Sequence, residues 1–323
     1  MEPYRIEKIG KENFQLLLPL MKDCFGMDVD TAYFEWKYTA NPAGSFIGFI
    51  AIDNSTNEVG ASYNVIPQRL LIDGKESVVY QSCDTMTHSA HRRRGLFKML
   101  ALECYRQLRE ENKLFVIGYG GADSTPGFIK FGWRHVTDFR YSFKLRLFCR
   151  LSLPGKSAAQ HFFIGFNEKK LREVIDTIPG TNAIHSQRTA AHIAWRIANP
   201  RFNYEMVLFD DQNGHIGYII YYVTNNKLLI FDFIFNGNKS RQALIGYVSR
   251  EVVKKKYQGL IAICQENGWQ EKALAKNNFM RNPFKKGPLS ERTPFIFYAE
   301  DGPMEKYNNS CQWEMTAYDH DAL

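Results

Sequence analysis

One stretch of the chain decides the fold: Thr85-Met-Thr-His-Ser-Ala-His-Arg-Arg-Arg-Gly-Leu-Phe-Lys98. It joins an apolar run typical of a strand, Val78–Thr87, to a helical pattern at Leu96–Arg109. Gly95 allows a tight turn, and the first N–H groups of a helix have no partner within it. These amides, the helix dipole and Arg92–Arg94 predict a phosphate or pyrophosphate site. A polar turn with solvated arginines remains the alternative at this point.

A second motif lies downstream and makes the first more specific. The apolar strand Leu114–Gly118 is followed by Thr125-Pro-Gly-Phe-Ile-Lys-Phe-Gly-Trp133. With this order of motifs, the chain resembles the GNAT superfamily of acyl-CoA-dependent N-acyltransferases, whose first motif reads Arg/Gln-x-x-Gly-x-Gly/Ala between a strand and a long helix. Arg92-Arg-Arg-Gly95-Leu-Phe97 matches it except at the last position. The resemblance covers about residues 1–150.

The resemblance implies that acetyl-CoA, or another short acyl-CoA, is the co-substrate, and it implies no metal. The pantetheine arm would pair with the backbone of Met86 and Thr87, and the thioester would end between that strand and Leu114–Tyr119. Phe128 is also among the implied cofactor-binding residues. The implied residues around the pyrophosphate are Arg92, Arg93, Arg94, Gly95, Leu96, Phe97 and Lys98.

Two departures from the family pattern affect the expected chemistry. Phe97 stands where a small residue is usual, and Phe128 stands where many members place the Tyr that protonates the leaving thiolate. Tyr119, Asp123 or Ser124 could replace that acid, or the thiolate could leave unassisted. A strand-end Tyr and polar turn residues are the plain alternative.

Asp84 is the best-placed carboxylate for a general base, because it lies on the strand beside the expected thioester. A charged Asp on a central strand is costly unless it is paired or wet. A structural, hydrogen-bonded Asp is the alternative. Strand alternation predicts that Asp84 and Met86 share one face, with Cys83 and Thr85 on the other.

An internal repeat suggests a duplication. Thr31–Pro42 recurs as Thr189–Pro200, each with a central Trp and a final Asn-Pro. Both halves continue with a hairpin and then strand, helix, strand and helix. The sequence thus predicts two similar α/β sandwiches in tandem, of mixed α+β type: residues 1–150, a GNAT-like acyl-CoA-binding catalytic domain, and residues 151–323, a degenerate GNAT-like domain that shapes the substrate cleft.

The second half has Asn236–Ala243 in place of the Arg-x-x-Gly motif, so we expect one acyl-CoA site per chain. Leu151–Ser157 is interpreted as the linker. The final stretch, Trp313–Asp321, is interpreted as a solvated tail that could alternatively reach the first half.

Composition narrows the function classes. Of 323 residues, 45% are hydrophobic and 14% aromatic, which excludes general disorder. A secreted or membrane-spanning protein is not expected, and six scattered cysteines fit reduced thiols in a cytoplasm. The net charge of +7 is too modest to indicate a nucleic-acid partner.

The sequence therefore predicts a cytoplasmic N-acetyltransferase that moves an acetyl or short acyl group from acyl-CoA to a primary amine by direct attack. The acceptor, a small molecule or a peptide, and the oligomeric state stay open. Two alternatives remain: an aminoacyl-tRNA-dependent peptide-bridge transferase, which also pairs two such domains, and a non-catalytic acyl-CoA-binding sensor or structural protein.

Overall fold

The structure is a computed structural model that describes residues 2–121, 124–151, 161–178, 180, 183–284 and 286–322. Within these ranges, fifteen strands form one mixed sheet, and helices cover both of its faces. The predicted mixed α/β class is therefore confirmed. A single sheet runs through both predicted halves, because their strands pair with each other.

In the first half (residues 1–150), strands and helices come close to the sequence-based boundaries. The strands are β1 (Tyr4–Lys8), β2 (Ile47–Asp53), β3 (Val59–Ile72), β4 (Lys75–Thr87), β5 (Phe115–Tyr119) and β6 (Arg134–Leu145). The helices are α1 (Leu18–Phe25), α2 (Thr31–Phe34), α3 (Leu96–Glu110), α4 (Thr125–Lys130) and α5 (Arg146–Arg150). A π-helical turn, Glu35–Thr39, continues α2.

The second half (residues 151–323) repeats much of this order. Its strands are β7 (Phe162–Ile164), β8 (Ile184–Ser186), β9 (Glu205–Asp210), β10 (Ile216–Thr224), β11 (Lys227–Phe235), β12 (Gly259–Gln265), β13 (Met280–Arg281), β14 (Arg292–Ala299) and β15 (Trp313–Glu314). Its helices are α6 (Glu168–Thr177), α7 (Ala190–Ile197), α8 (Gly237–Lys254), α9 (Trp269–Ala275) and α10 (Met304–Asn308).

Helix α3 shows how the sequence pattern produces the packing. Leu96, Leu100, Cys104 and Leu108 recur at helical spacing and are all buried against the sheet. Arg106, on the solvent side, forms ion pairs with the carboxylates three residues before it and four residues after it. The helix begins directly after Gly95, in the turn that follows β4.

The two halves exchange strands. β14, from the second half, lies between β5 and β6 of the first half and pairs antiparallel with both. In return, the last part of β6, Phe139–Leu145, pairs with β12, and its Ser142 and Phe143 also pair with β13. The order through this region is β4-β5-β14-β6-β12-β11. Each half thus completes its sheet with a strand from the other.

A reciprocal contact joins the repeated helical segments. The indole Nε1 of Trp36 donates to the backbone carbonyl of Trp195 at 2.6 Å, and that of Trp195 donates to the carbonyl of Trp36 at 2.7 Å. Their rings stack with centroids 5.3 Å apart. Both residues are buried in one core cluster, where they anchor the halves to each other.

The C-terminal segment (Trp313–Asp321) is not a solvated tail. Trp313 and Tyr318 are each 1% exposed, and Asp319 and Asp321 are also buried. The segment passes between the halves, where its aromatic side chains complete two core clusters. The interpretation as a tail is therefore wrong, because these side chains fill the core between the repeats.

Two further observations concern the chain as a whole. The predicted linker begins at Leu151, and its remaining residues lie outside the described ranges. None of the helices within those ranges combines the length and apolar composition that a bilayer span needs.

The strand exchange predicts that residues 1–150 do not fold alone. Without β14, the buried Phe295, Ile296 and Phe297 are missing from the core beside β5 and β6, and both strands gain a free edge. We expect this fragment to aggregate, and co-expression with residues 151–323 to restore a soluble complex measured by size-exclusion chromatography. As a control, one cut between residues 151 and 161 in the folded protein should preserve cooperative urea unfolding. A soluble 1–150 fragment with cooperative unfolding would contradict the prediction.

Candidate active site

The sheet opens between β4 and β5. Their parallel pairing covers only Tyr80–Ser82 and Val116–Gly118. β4 nevertheless stays paired with β3 as far as Thr87. Among the pairings of the described residues, the end of β4 therefore has a strand on one side only, and its other edge faces what we call the β4–β5 opening. Unpaired backbone groups on such an edge can hydrogen-bond an extended ligand.

A bulge shapes the edge of this opening. β3 pairs Asn64 with Cys83 but Ser62 with Met86, so β4 holds one extra residue between these pairs. Asp84 lies in the bulge with a φ of +43°, a conformation rare for residues other than glycine. Such a backbone persists only where surrounding contacts hold it.

The bulge also changes which side chains share a face. Cys83 and Met86 pack into the same core cluster, beneath α1 and α2. The hydroxyls of Ser82 and Thr85 lie 3.4 Å apart on the other face. The predicted alternation, with Cys83 and Met86 on opposite faces, is therefore wrong, because the extra residue shifts the period of the strand.

Both oxygens of the Asp84 carboxylate are hydrogen-bonded. Lys37 Nζ donates to Oδ1 at 2.9 Å, and the Tyr38 hydroxyl donates to Oδ2 at 2.7 Å. Both donors come from the π-helical turn Glu35–Thr39, which lies over the bulge. Asp84 thus has the structural role that the sequence left open as an alternative to a general base.

Lys37 is the centre of a buried polar cluster. Its side chain is 1% exposed, and its Nζ also donates to the Tyr33 hydroxyl at 3.1 Å and to Asp321 Oδ2 at 3.0 Å. Burial lowers the pKa of Lys37, but the charges of Asp84 and Asp321 outweigh it and raise the pKa well above its ordinary value. Burial raises the pKa of Asp321, but Lys37, His320 and Arg196 together outweigh it and lower the pKa of that carboxyl. Lys37 and Asp321 therefore form a buried ion pair.

The phosphate turn, Arg92–Lys98, has the backbone geometry that the motif predicts. Arg93 and Gly95 have φ angles of +66° and +77°. Gly95, the N-cap residue of α3, has no side chain with which to cap the helix. The first N–H groups of α3 have no partner within the helix, so they are available as donors for an anion.

The three arginine side chains of this turn differ in their contacts. Arg94 Nη1 donates to the Tyr4 hydroxyl at 2.7 Å, which draws this guanidinium toward β1. Arg92 Nε donates to the carbonyl of Thr87 at 3.4 Å, and Arg93 is exposed. The exposed side chains of Arg92 and Arg93 are thus better placed than that of Arg94 to add charge to an anion site.

The two departures from the family pattern are in contact. The Phe97 ring lies 5.0 Å from the Phe128 ring and 5.8 Å from that of Tyr63. Phe128 is 5% exposed and also packs against Trp133, with ring centroids 4.7 Å apart. The large side chain of Phe97 thus packs directly against Phe128, which has no hydroxyl. Both rings belong to the core cluster beneath α3.

Tyr119 is the most informative of the candidate acids. It ends β5, and its ring lies 4.5 Å from the ring of His320. Its hydroxyl is buried and has no hydrogen-bond partner among the described residues. Burial, and then the charges of Asp319 and Asp321, raise its pKa well above the ordinary value. Tyr119 is thus a neutral phenol whose donor is not used within the described part of the chain.

The other two candidate acids contribute less. The Ser124 hydroxyl accepts from the backbone N–H of Gly121 at 3.0 Å, in the turn before α4. Asp123 lies outside the described residues.

Sequence reasoning missed Lys37, His320 and Asp321. The structure brings them together with Asp84 and Tyr119 around the β4–β5 opening. The only sequence signal for Lys37 is that it follows Trp36, which belongs to the repeat. For Asp321 there was none, because carboxylates near the end of the sequence do not by themselves indicate a buried ion pair.

The second half has a comparable opening that its own residues fill. β11 and β12 pair only over Leu228–Ile230 and Leu260–Ala262, although β11 continues to Phe235. Thr316 forms a β-bridge with Cys264, on β12, and its hydroxyl lies 3.4 Å from Asp232 on β11. In the second half, the C-terminal segment thus occupies the space between β11 and β12 that corresponds to the β4–β5 opening of the first half.

Comparison with known families decides the identity of this region. Residues 5–136 match the model described as an acetyltransferase (GNAT) domain. These residues belong to the GNAT acetyltransferase family. The match contains the phosphate turn, the bulge and the β4–β5 opening, and it identifies the protein as an acyltransferase. No curated protein sequence matches the chain.

Solved structures show a similar fold over both halves. A probable N-acyltransferase from Enterococcus faecalis superposes with a TM-score of 0.68 and 12% identity, covering 91% of this chain and 72% of that one. A GCN5-related N-acetyltransferase from Kribbella flavida gives 0.65 and 13%, covering 91% and 70%. An N-myristoyltransferase from Saccharomyces cerevisiae with bound myristoyl-CoA gives 0.61 and 12%, covering 92% and 79%.

The surroundings of His320 predict a pH dependence of stability. Burial, reinforced by the charge of Arg196 and opposed by that of Asp321, lowers the pKa of His320 to about 4. The ordinary value is about 6.5, so between these values the unfolded state binds more protons than the folded state. The free energy of unfolding should therefore fall as the pH drops from about 6.5 to about 4, by about 1.4 kcal/mol per pH unit from this residue.

Urea unfolding at several pH values measures this contribution. The variant His320→Gln lacks the titrating imidazole, so its free energy of unfolding should depend less on pH. The difference in unfolding free energy between wild type and variant should therefore change between pH 6.5 and 4. A difference that stays constant from pH 6.5 to 4 would contradict the buried, neutral imidazole.

Proposed function

We propose that the protein is an N-acetyltransferase that moves an acetyl or other short acyl group from acyl-CoA to a primary amine by direct attack. The observation that carries the proposal is the β4–β5 opening within the matched GNAT domain. Phe97, in the first turn of α3, packs against Phe128 of α4, the helix that follows β5, so the start of α3 lies against α4. These features support a strand edge for the pantetheine arm of acyl-CoA together with N–H donors for its pyrophosphate.

In this proposal, the pyrophosphate accepts hydrogen bonds from the backbone N–H groups of Arg93–Lys98. The exposed side chains of Arg92 and Arg93 add positive charge. The pantetheine arm lies along the open edge of β4 and pairs with the backbone of Met86 and Thr87. The thioester then reaches the bulge, where the strand has no β5 partner.

The reaction needs positioning more than side-chain chemistry. The neutral amine attacks the thioester carbonyl carbon, a C–N bond forms, and the carbonyl oxygen becomes an oxyanion. We propose that a backbone N–H near Met86 stabilises this oxyanion. Collapse of the intermediate breaks the C–S bond, and the electron pair leaves on sulfur, which is protonated to the free thiol. The attacking nitrogen loses one proton to solvent, which balances the proton delivered to sulfur. Holding the amine against the thioester supplies much of the rate.

We propose Tyr119 as the proton donor to the leaving thiolate. Its buried hydroxyl has no partner among the described residues, and its raised pKa keeps it protonated. Phe128 cannot take this role, because it has no hydroxyl. We assign Asp84 the task of holding the bulge, since Lys37 and Tyr38 engage both of its oxygens.

The buried charges favour a short acyl group. Lys37, Asp84 and Asp321 lie on the α1–α2 side of the bulge, each less than 10% exposed. A long apolar chain passing this point would lie against ionised groups, which is unfavourable.

We further propose that the second half is a degenerate copy that has lost acyl-CoA binding and shapes the acceptor cleft. The C-terminal segment fills its opening, and Asn236, at the start of α8, uses its side chain to bond Ile216 N and Gly214 O. A cytoplasmic location, where acyl-CoA is available, fits six cysteines that are all free thiols.

Two glycines with the same backbone geometry test the anion site. Gly95 and Gly74 have φ angles of +77° and +75°, and a Cβ would meet nothing within 4 Å at either. Alanine should therefore cost each position about 1 kcal/mol of stability through backbone strain. Only Gly95→Ala should weaken acetyl-CoA binding, by about tenfold (~1.4 kcal/mol), because it shifts the amides of the phosphate turn.

Isothermal titration with acetyl-CoA measures both the affinity and the stoichiometry. We expect one site per chain. Equal affinities of the two variants, or two equivalent sites, would contradict the assignment.

Turnover tests the function itself. Acetyl-CoA with a panel of primary amines should release free thiol, and the acetylated amine should appear by mass spectrometry. Tyr119→Phe should lower kcat by about 100-fold with the KM for acetyl-CoA unchanged. Tyr298→Phe, a control whose hydroxyl bonds Glu300 on the surface, should not change kcat.

Other outcomes would replace the proposal. Tight acetyl-CoA binding without turnover of any amine would indicate a sensor. Binding of aminoacyl-tRNA without acetyl-CoA binding would indicate a peptide-bridge transferase.

A further inference from the structure

Asp321 is linked to β4 on both sides of the point where β5 diverges, directly at Gln81 and through Lys37 at Asp84. Its Oδ2 accepts from Lys37 Nζ at 3.0 Å, and Lys37 in turn holds Asp84 in the bulge. Its Oδ1 accepts from Gln81 Nε2 at 3.4 Å. The last β4 residue paired with β5 is Ser82. Gln81 comes one residue before it, and Asp84 comes two residues after it. A carboxylate near the end of the chain thus contacts β4 before the opening and, through Lys37, within it.

The bulge depends on these contacts. Asp84 adopts a φ of +43°, which a residue with a side chain holds only when its surroundings require it. Lys37 is one of two donors that hold the Asp84 side chain. Removing the charge of Asp321 leaves Lys37 with fewer acceptors at a site where it is 1% exposed, so the ammonium shifts and Asp84 loses its fixed partner.

We infer that Asp321 is a positioning residue for acyl transfer: through Lys37 it fixes the bulge of β4 and, with it, the backbone N–H groups that face the thioester. The inference rests on the proposed function. It gives the C-terminal segment two tasks, since Thr316 fills the second opening while Asp321 sets the geometry of the first. Asp321 does not touch the reacting atoms, so its effect should appear in the rate and not in acyl-CoA binding.

Asp232 provides a matched control in the second half. It is 1% exposed, pairs with Arg188 at 3.0 Å and accepts from the Tyr218 hydroxyl at 2.7 Å. It lies beside the bulge of β11, where the register of β10 and β11 shifts. Asp232→Asn thus disturbs a buried ion pair of the same kind and, through Thr316, the same C-terminal segment, whereas the contacts of Asp232 among the described residues do not include β4.

Hydrogen exchange tests the structural part without any activity. In the full-length protein, Asp321→Asn should speed amide exchange of the β4 peptide around Cys83–Thr87 by about tenfold or more relative to wild type. Asp232→Asn should leave that peptide unchanged, although both variants should unfold at lower urea concentrations. Equal effects of the two variants on β4, or no effect of Asp321→Asn, would overturn the inference.

Kinetics test the catalytic part. Hydroxylamine, a small nucleophile that is neutral at pH 7.5, serves as the acceptor with acetyl-CoA. Asp321→Asn should lower kcat about tenfold with the KM for acetyl-CoA unchanged, and Asp232→Asn should keep the wild-type kcat. A raised KM with an unchanged kcat would overturn positioning.

A double-mutant cycle identifies the route. If Asp321 acts through Lys37, then Asp321→Asn should have no further effect on kcat in a Lys37→Met background. Additive effects would overturn the route through Lys37. Should Lys37→Met fail to fold, Lys37→Gln in the same cycle gives the same comparison.

These outcomes separate the inference from the proposed function. If wild type releases no thiol with hydroxylamine or any amine, the proposed function fails, while the exchange of β4 still decides whether Asp321 holds the bulge. If wild type turns over and Asp321→Asn does so equally well, the function stands and the inference fails.

Discussion

The reciprocal pair of Trp36 and Trp195 is the contact on which the arrangement of the site depends. Each indole donates to the backbone carbonyl of the other Trp, so the two repeated helical segments are joined by these two hydrogen bonds. The residue after each Trp is a buried cation. Lys37 bonds the carboxylate of Asp321, and Arg196 Nη2 donates to the carbonyl of His320 at 2.8 Å. The last residues of the chain are therefore held by matching positions of both halves, and they bring His320 against Tyr119.

Local patterns were sufficient to predict the elements around the phosphate turn. The predicted helix at Leu96–Arg109 and strand at Val78–Thr87 differ from the observed α3 and β4 by only a few residues. Apolar spacing of 3.6 or 2 residues and a glycine at the turn are properties of short windows, so they can be recognised without tertiary information. The family motif depends on the same windows, which is why the position and backbone geometry of the Gly95 turn followed from the sequence.

What the sequence did not reveal depends on contacts between distant residues. The bulge at Asp84 leaves no signal in the alternation of β4, since Asp is an ordinary residue whose positive φ is stabilised by Lys37 and Tyr38. The segment Trp313–Asp321 has the composition of an exposed end, with charged residues among aromatics. It is buried because partners for those charges come from both halves, and pairing between residues some 280 positions apart is not encoded in any local pattern.

The exchange of β14 has a consequence for synthesis of the chain on the ribosome. After β6 has been made, the first half still lacks the strand that lies between β5 and β6, and that strand ends at Ala299. At ~5–20 residues per second, the roughly 150 intervening residues take about ten to thirty seconds. During that time the edges of β5 and β6 and the apolar residues beside them are open to misassociation. The first half, although it is synthesised first, is therefore completed only after β14 has emerged.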